Sequence, residues 1–180
     1  MTELTLPRIA DLHVHRLYAQ HAALPVGVVT QCAQNHAAMV QAAWHACAGD
    51  TWAERAATLH ADGEECLFDL LSRASSRVER RDAYVAEGSW PLLTEHGRTV
   101  LDFGGGLGLT ASLLHDANKQ VTYADVAGAV TRFATWFFAH AGQHPIEAVE
   151  LPRGDFTPLT GRTFDLVLAE HVLGYVPDPG

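Results

Sequence analysis

Two hydrophobic periods divide the chain near residue 98. After it, short apolar runs of strand length alternate with longer stretches of helical spacing. Val100-Leu101 leads into Asp102-Phe103, and Val121-Thr122-Tyr123-Ala124 leads into Asp125-Val126. Ile146 to Leu151 and Phe164 to Glu170 repeat the pattern. Leu107 to Asn118 and Ala129 to Ala141 read as helices, the second with Val130, Phe133, Trp136 and Phe137 on one core-facing side. Strands alternating with helices predict βαβ units and a parallel sheet, hence an α/β fold class.

Before residue 98 the pattern is mainly helical. Val26 to Ala48 is one alanine-rich apolar stretch with Pro25 near its start. Thr51-Trp52-Ala53-Glu54 fits a capping box that opens another helix. Cys66, Leu67, Leu70, Leu71, Ala74 and Val78 recur as a single helical stripe, which Gly88 and Pro91 interrupt. Trp90, Leu92 and Leu93 are expected to dock this arm on the core.

The strongest chemical signal is the run Val100-Leu101-Asp102-Phe103-Gly104-Gly105-Gly106-Leu107-Gly108. A strand that ends in an acid and then a glycine turn brings its backbone close to a ligand. A dinucleotide-binding turn reads G-x-G-x-x-G, and here its third glycine would fall on Leu109. Asp102 would also add like charge beside a pyrophosphate. A ligand without phosphates and with a cationic centre fits the spacing better.

The D-x-G-x-G-x-G step after a V-L-D strand resembles motif I of the class I S-adenosylmethionine (SAM) methyltransferases. Three later segments resemble the family's further motifs: the strand closing on Asp125-Val126, the Gly154-Asp155-Phe156 step, and Phe164 to Glu170 continuing through His171 to Pro179. The family often carries Glu-His before the valine of that last segment, where this chain has Gly174-Tyr175. The resemblance implies a Rossmann-like parallel sheet of which this chain holds the first four strands. It implies a cofactor, SAM, with S-adenosylhomocysteine as product. It places Asp102, Gly104, Gly105, Gly106 and Gly108 along the methionyl–adenosine backbone and Asp125 on the ribose hydroxyls. Val126, Asp155 and Phe156 lie around adenine, and Glu170 lies by the methionine part. His171 is the candidate base for an acceptor hydroxyl or amine, a role that histidine side chains commonly fill.

The resulting division is a helical region, 1–98, expected to cap the substrate or to dimerise, followed by a SAM-binding core, 99–180. Because the family's sheet has seven strands, the fourth strand here is expected at a bare edge. A continuation of the chain is the favoured cover, and a partner chain, in a homodimer or swapped assembly, is the alternative. The function expected is methyl transfer to a small molecule at oxygen, nitrogen or carbon. The alternatives are a non-catalytic SAM-binding or regulatory subunit and, further off, a nicotinamide oxidoreductase.

Composition narrows this reading. The 180 residues carry a net charge of −9 and no long basic stretch, which argues against nucleic acid held through its phosphates. Three scattered cysteines, Cys32, Cys47 and Cys66, fit neither a disulfide framework nor a zinc site. No apolar run reaches membrane-spanning length, so a soluble cytoplasmic protein is expected. Asp11-Leu12-His13-Val14-His15 resembles the first metal motif of amidohydrolase-like enzymes. Without further ligands it reads as histidines on an N-terminal strand or loop, and no metal is expected. His21, His36, His45 and His60 read mostly as helix residues, of which one or two could line a substrate cavity. Arg73, Arg77, Arg80 and Arg81 read as a solvated helix face, or alternatively as a site for an anionic substrate.

Overall fold

The computed structural model describes residues 12–52, 54–55, 59, 64–74, 76–141, 146–152 and 154–172. Among the described residues the N-terminal region includes the helices α1 (Val14–Ala22), α2 (Val26–Gln34), α3 (His36–Ala46), α4 (Glu64–Arg73), α5 (Arg77–Ala86) and α6 (Trp90–Glu95). They are followed by β1 (Thr99–Phe103), α7 (Leu109–Asp116), β2 (Gln120–Val126), α8 (Ala129–His140), β3 (Glu147–Leu151) and β4 (Leu166–Leu168). A 3-10 turn, Thr157–Leu159, lies between the last two strands.

The four strands form one parallel sheet in the order β3-β2-β1-β4. The α/β class, the Rossmann-like sheet and the mainly helical N-terminal region therefore hold. Successive strand residues point to opposite faces. Val100, Val121 and Tyr123 face α7 and α8, where they join a cluster with Leu114, Phe133 and Phe137. Leu101, Ala124, Val149 and Leu151 face the other way and are covered by Phe103, Leu159 and Phe164. The first cluster also contains Val14, Leu17, Val29, Leu67 and Leu71, so α1, α2 and α4 share one apolar core with the sheet.

Several local expectations change. The stretch from Val26 to Ala48 is two helices, because Asn35 closes α2 and opens α3. The turn there is made by the backbone, with Asn35 N donating to the carbonyls of Gln31 and Cys32. The apolar stripe from Cys66 breaks after Arg73, since Ser76 caps α5, accepting from Glu79 N at 3.2 Å. Val78 falls outside the stripe as a result, 37% exposed. Leu93 is buried and Trp90 packs against the core, but Leu92 is exposed. The His13–His15 segment opens α1 instead of forming a strand or loop. The His13 side chain accepts from His15 N, and the His15 ring reaches Thr30 and the carbonyl of Leu71. Asp11 lies outside the described residues. The capping box at Thr51 forms, with Glu54 N donating to Thr51 Oγ1 and Glu54 accepting from Thr51 N. Ala53 and His60 lie outside the described residues, as do 173–180 with Gly174-Tyr175.

Two polar ties fix the elements around the sheet. Asp165 Oδ2 accepts from Arg98 N at 2.7 Å and Thr99 N at 2.9 Å, pinning the start of β4 to β1. These backbone donors hold its carboxyl below the usual range. Arg77, 4% exposed, reaches from α5 to α7, donating to Asp116 Oδ2 at 2.7 Å and to Ser112 Oγ at 3.1 Å. Among the described residues β4 pairs with β1 alone, and Val167 on it is 55% exposed. No helix among the described residues is long and apolar enough to cross a membrane.

Removing the Arg77 head should leave a charge of Asp116 facing an apolar helix contact. Arg77→Met is expected to lower unfolding free energy by about 2 kcal/mol, less than a fully buried pair would lose because water reaches Asp116. Urea denaturation checks it, with Arg77→Lys expected to recover part of the loss.

Candidate cofactor site

Open parallel sheets bind ligands at the carboxyl ends of their strands, where the strand order reverses. Here that point lies between β1 and β4. The glycine turn leaves β1 there, and Glu170 and His171 leave β4 beside it.

The turn is shaped from β2. Asp125 Oδ2 accepts from Gly106 N at 2.8 Å, and the Tyr123 hydroxyl donates to Gly106 O at 2.7 Å. Asp125 Oδ1 accepts from Val126 N at 2.7 Å. Each carboxylate oxygen so engaged still has a lone pair for a hydroxyl donor. Burial raises the Asp125 pKa, and the N–H groups of Gly106 and Val126 pull it back. Gly105 lies so close over β1 and β2 that a Cβ there would sit 2.7 Å from Asp102 Oδ2 and 2.7 Å from the Tyr123 ring. Gly108 has φ +75° and its α-carbon abuts Phe138, so it is barred to other residues on both counts. Gly104 packs against Val172, which brings the chain after β4 alongside the turn.

Beneath the turn lies Asp102, 5% exposed, with an Oδ2 that has no hydrogen-bond partner. Burial, then the charges of Glu170 and Asp125, push its carboxyl from the usual 3.8 up to about 7. Glu170 is held by the N-terminal region: its Oε1 accepts from Tyr84 Oη at 2.7 Å, and its Oε2 pairs with Arg80. Burial pushes the Tyr84 hydroxyl up to about 12, so it remains a donor. Thr110, in the first turn of α7, takes Arg80 Nε at 3.3 Å and lies 3.0 Å from the Tyr84 hydroxyl. Leu70 of α4 approaches Gly106.

The structure thus gathers Asp102, the glycines, Asp125 and Glu170 at one end of the sheet. Val126, 39% exposed, and Phe156, 40% exposed, stand at the ends of β2 and β3, with the Phe156 ring 5.8 Å from Phe103. Asp155 turns to its own loop, where Oδ1 accepts from Thr157 N at 2.8 Å and holds the carboxyl below the usual range. His171 is exposed and leaves β4 in the left-handed region, φ +54°. Tyr123 and Tyr84, which contact the turn and Glu170, carry no functional expectation in the sequence reading, whereas Arg80 is one of four arginines read as a solvated face or as an anionic-substrate site. The arginines are not one solvated face: Arg77 is buried against α7 and the partly exposed Arg80 reaches Glu170 and Thr110, whereas Arg73 and Arg81 pair with Asp69 and Asp82 near the surface.

A shallow groove of about 400 Å³ lies elsewhere, between α3 and α4, lined by His36, Val40, Trp44 and Asp69 among others. None of the strand-end residues lines it. Among the described residues no three of His, Cys, Asp and Glu converge as metal ligands.

Chemically, the strand ends offer two carboxylates to a cation, a carboxylate to a diol, and apolar surface to a flat ring. Residues 101–180 match a family model described as a methyltransferase domain. No curated protein matches the chain.

The buried Asp102 makes a signed pH prediction. Its raised pKa means that the folded state holds a proton the unfolded chain releases above about 4. The stability this proton contributes is fully present below the unfolded value and is lost as the pH rises through about 7. Asp102→Asn should therefore shrink the drop in urea midpoint between pH 5 and pH 8. A drop as large as that of the parent chain would contradict the assignment.

Proposed function

We propose, on the premise that residues 101–180 belong to the class I SAM-dependent methyltransferases, that this protein methylates a small molecule. The observation that carries the reading is Asp102, buried with an unpartnered oxygen under a glycine turn and flanked by Glu170. Such a site repels phosphates and suits a sulfonium. It favours SAM over a dinucleotide for the same reason that the glycine spacing does.

The residues present fit the donor. Asp125 has lone pairs left for the two ribose hydroxyls, in charge-assisted bonds worth about 1.5–3 kcal/mol each. Val126 and Phe156 offer apolar surface to adenine, and Asp155 lies on the same loop. The glycines let backbone follow the donor closely. Bound SAM supplies a methyl group already activated on a sulfonium and leaves as S-adenosylhomocysteine. What remains for the chain is alignment and exclusion of water, and positioning of this kind can lower a barrier by about 7–11 kcal/mol. His171, at the mouth of the site, is assigned to take a proton from an acceptor hydroxyl or amine, an effect of about 10²–10⁴-fold.

Acceptor choice is assigned to the helices that reach over the turn, α4 through Leu70 and α5 through Tyr84. A net charge of −9 disfavours a nucleic-acid acceptor. On this reading the protein works in the cytoplasm, with the exposed edge of β4 covered by a second copy.

Calorimetry should show binding of SAM and none of NAD. Asp125→Ala should weaken SAM binding by at least about tenfold, given the bonds it removes. Asp125→Asn, which can still accept from Gly106 N, should lose less. Unchanged affinity in Asp125→Ala would overturn the ribose assignment. Label from methyl-labelled SAM should move into a small-molecule extract. Tight SAM binding without transfer would instead identify a non-catalytic SAM-binding subunit.

A further inference from the structure

A helix that is apolar on every side belongs inside a protein. The helix α3 reads His-Ala-Ala-Met-Val-Gln-Ala-Ala-Trp-His-Ala, with no acid, lysine or arginine, yet none of its residues is buried. Met39 packs against the core. Another side of the helix, Ala37, Val40, Gln41 and Trp44, opens on the groove of about 400 Å³. The facing wall of that groove is Asp69 and Arg73 of α4. The Trp52 ring lies 6.2 Å from that of Trp44, and Trp52 is 68% exposed.

The stripe on α3 is complementary to itself. Its positions lie three, four and seven apart and so share one side of the helix. A second α3 laid antiparallel about a two-fold axis between Val40 and Gln41 sets Ala37 of each copy opposite Trp44 of the other. The smallest side chain of the stripe then receives the largest. Charge agrees with this direction. Arg73 lies near the His36 end of α3, since Asp69 Oδ1 is 2.8 Å from Arg73 Nη2 and 3.4 Å from His36 Nε2. The C-terminal end of the second α3 arrives there, and its last carbonyls carry the negative end of the helix dipole. The Arg73 side chain, 71% exposed, presents its cation to them. His45 of the second copy comes to the same end, beside Asp69. Area agrees as well. A tryptophan buries about 150–250 Å² when covered, against about 800 Å² per partner for a standard interface. Trp52 and the open side of Trp44 therefore supply a substantial share of what a stable dimer needs.

We propose that α3 is a self-association surface, docking antiparallel on the α3 of a second copy with Ala37 and Trp44 facing each other across the axis. The contact is separate from the edge of β4 and does not rest on the identity of the methyl donor. Asp69 precedes Leu70, which approaches Gly106, so a copy seated here touches the helix that reaches over the glycine turn.

Sedimentation equilibrium of the full chain tests the proposal. At micromolar concentration the parent protein should exceed one chain in mass. Ala37 is exposed, so Ala37→Trp should keep the helix content seen by circular dichroism while filling the seat of the second copy's Trp44. It should halve the mass. The double variant Ala37→Trp/Trp44→Ala exchanges knob and seat and should restore it. Val167→Lys, on the edge of β4, should leave the α3 contact in place, so that adding Ala37→Trp still halves the mass. A monomeric parent overturns the proposal. So does a mass that falls with Val167→Lys and not with Ala37→Trp, because the copies then meet at β4 alone. A folded double variant that stays as small as Ala37→Trp overturns the antiparallel docking.

Discussion

The peptide of Gly106 is gripped from both sides by one strand. Its N–H goes to Asp125 and its carbonyl receives the Tyr123 hydroxyl. Residues two apart on a strand share a face, so Tyr-x-Asp at the end of β2 is enough to build this clamp. The arrangement requires a phenol and a carboxylate in a largely dry place, and each is stabilised there by the bonds it makes to the turn. With Gly106 fixed, Gly105 lies over Asp102 and the Tyr123 ring, Gly108 abuts Phe138, and α7 starts in its observed direction. The isolation of Asp102 from water follows from the same clamp, because Gly105 forms its roof.

The helical region is bound to this site as well as to the core. Arg77 ties α5 to the last turn of α7, and Thr110 and Glu170 tie the same helix to the first turn of α7 and the end of β4. One helix thus spans the full length of α7 through polar contacts at both ends, with Tyr84 and Trp90 stacked beside it. Since Leu17, Leu67 and Leu71 lie in the same apolar cluster as Tyr123 and Phe137, loss of the helical region would expose the face of the sheet half that carries the clamp.

The sheet was legible because strand residues declare themselves through period and through their terminal acids. Asp102 and Asp125 each close an apolar run, and the glycine spacing between them fixes the turn. The helical half was less legible. Ser76 splits a stretch whose apolar spacing alone runs through it, because a cap is a property of one side chain and not of a period; at Asn35 the backbone turns between α2 and α3 without a side-chain cap bond. The roles of Arg77 and Arg80 were hidden for a different reason. A charged residue on an amphipathic helix reads as solvated unless its partner is known, and the partners, Asp116 and Glu170, lie far along the chain. The four-residue spacing of Arg80 and Tyr84 was the available signal that the two act together. Tyr123 was hidden by its own strand, where a tyrosine reads as core, and only its place two residues before Asp125 marks it.

Under the proposed function, the buried carboxyl of Asp102 would tie the fold to its ligand. Burial beside Glu170 and Asp125 disfavours its ionised form. A donor that arrives as a sulfonium would offset that charge, and the neutral thioether left after transfer would not. The carboxylate that the fold holds at a cost is thus the one that would tell the two apart.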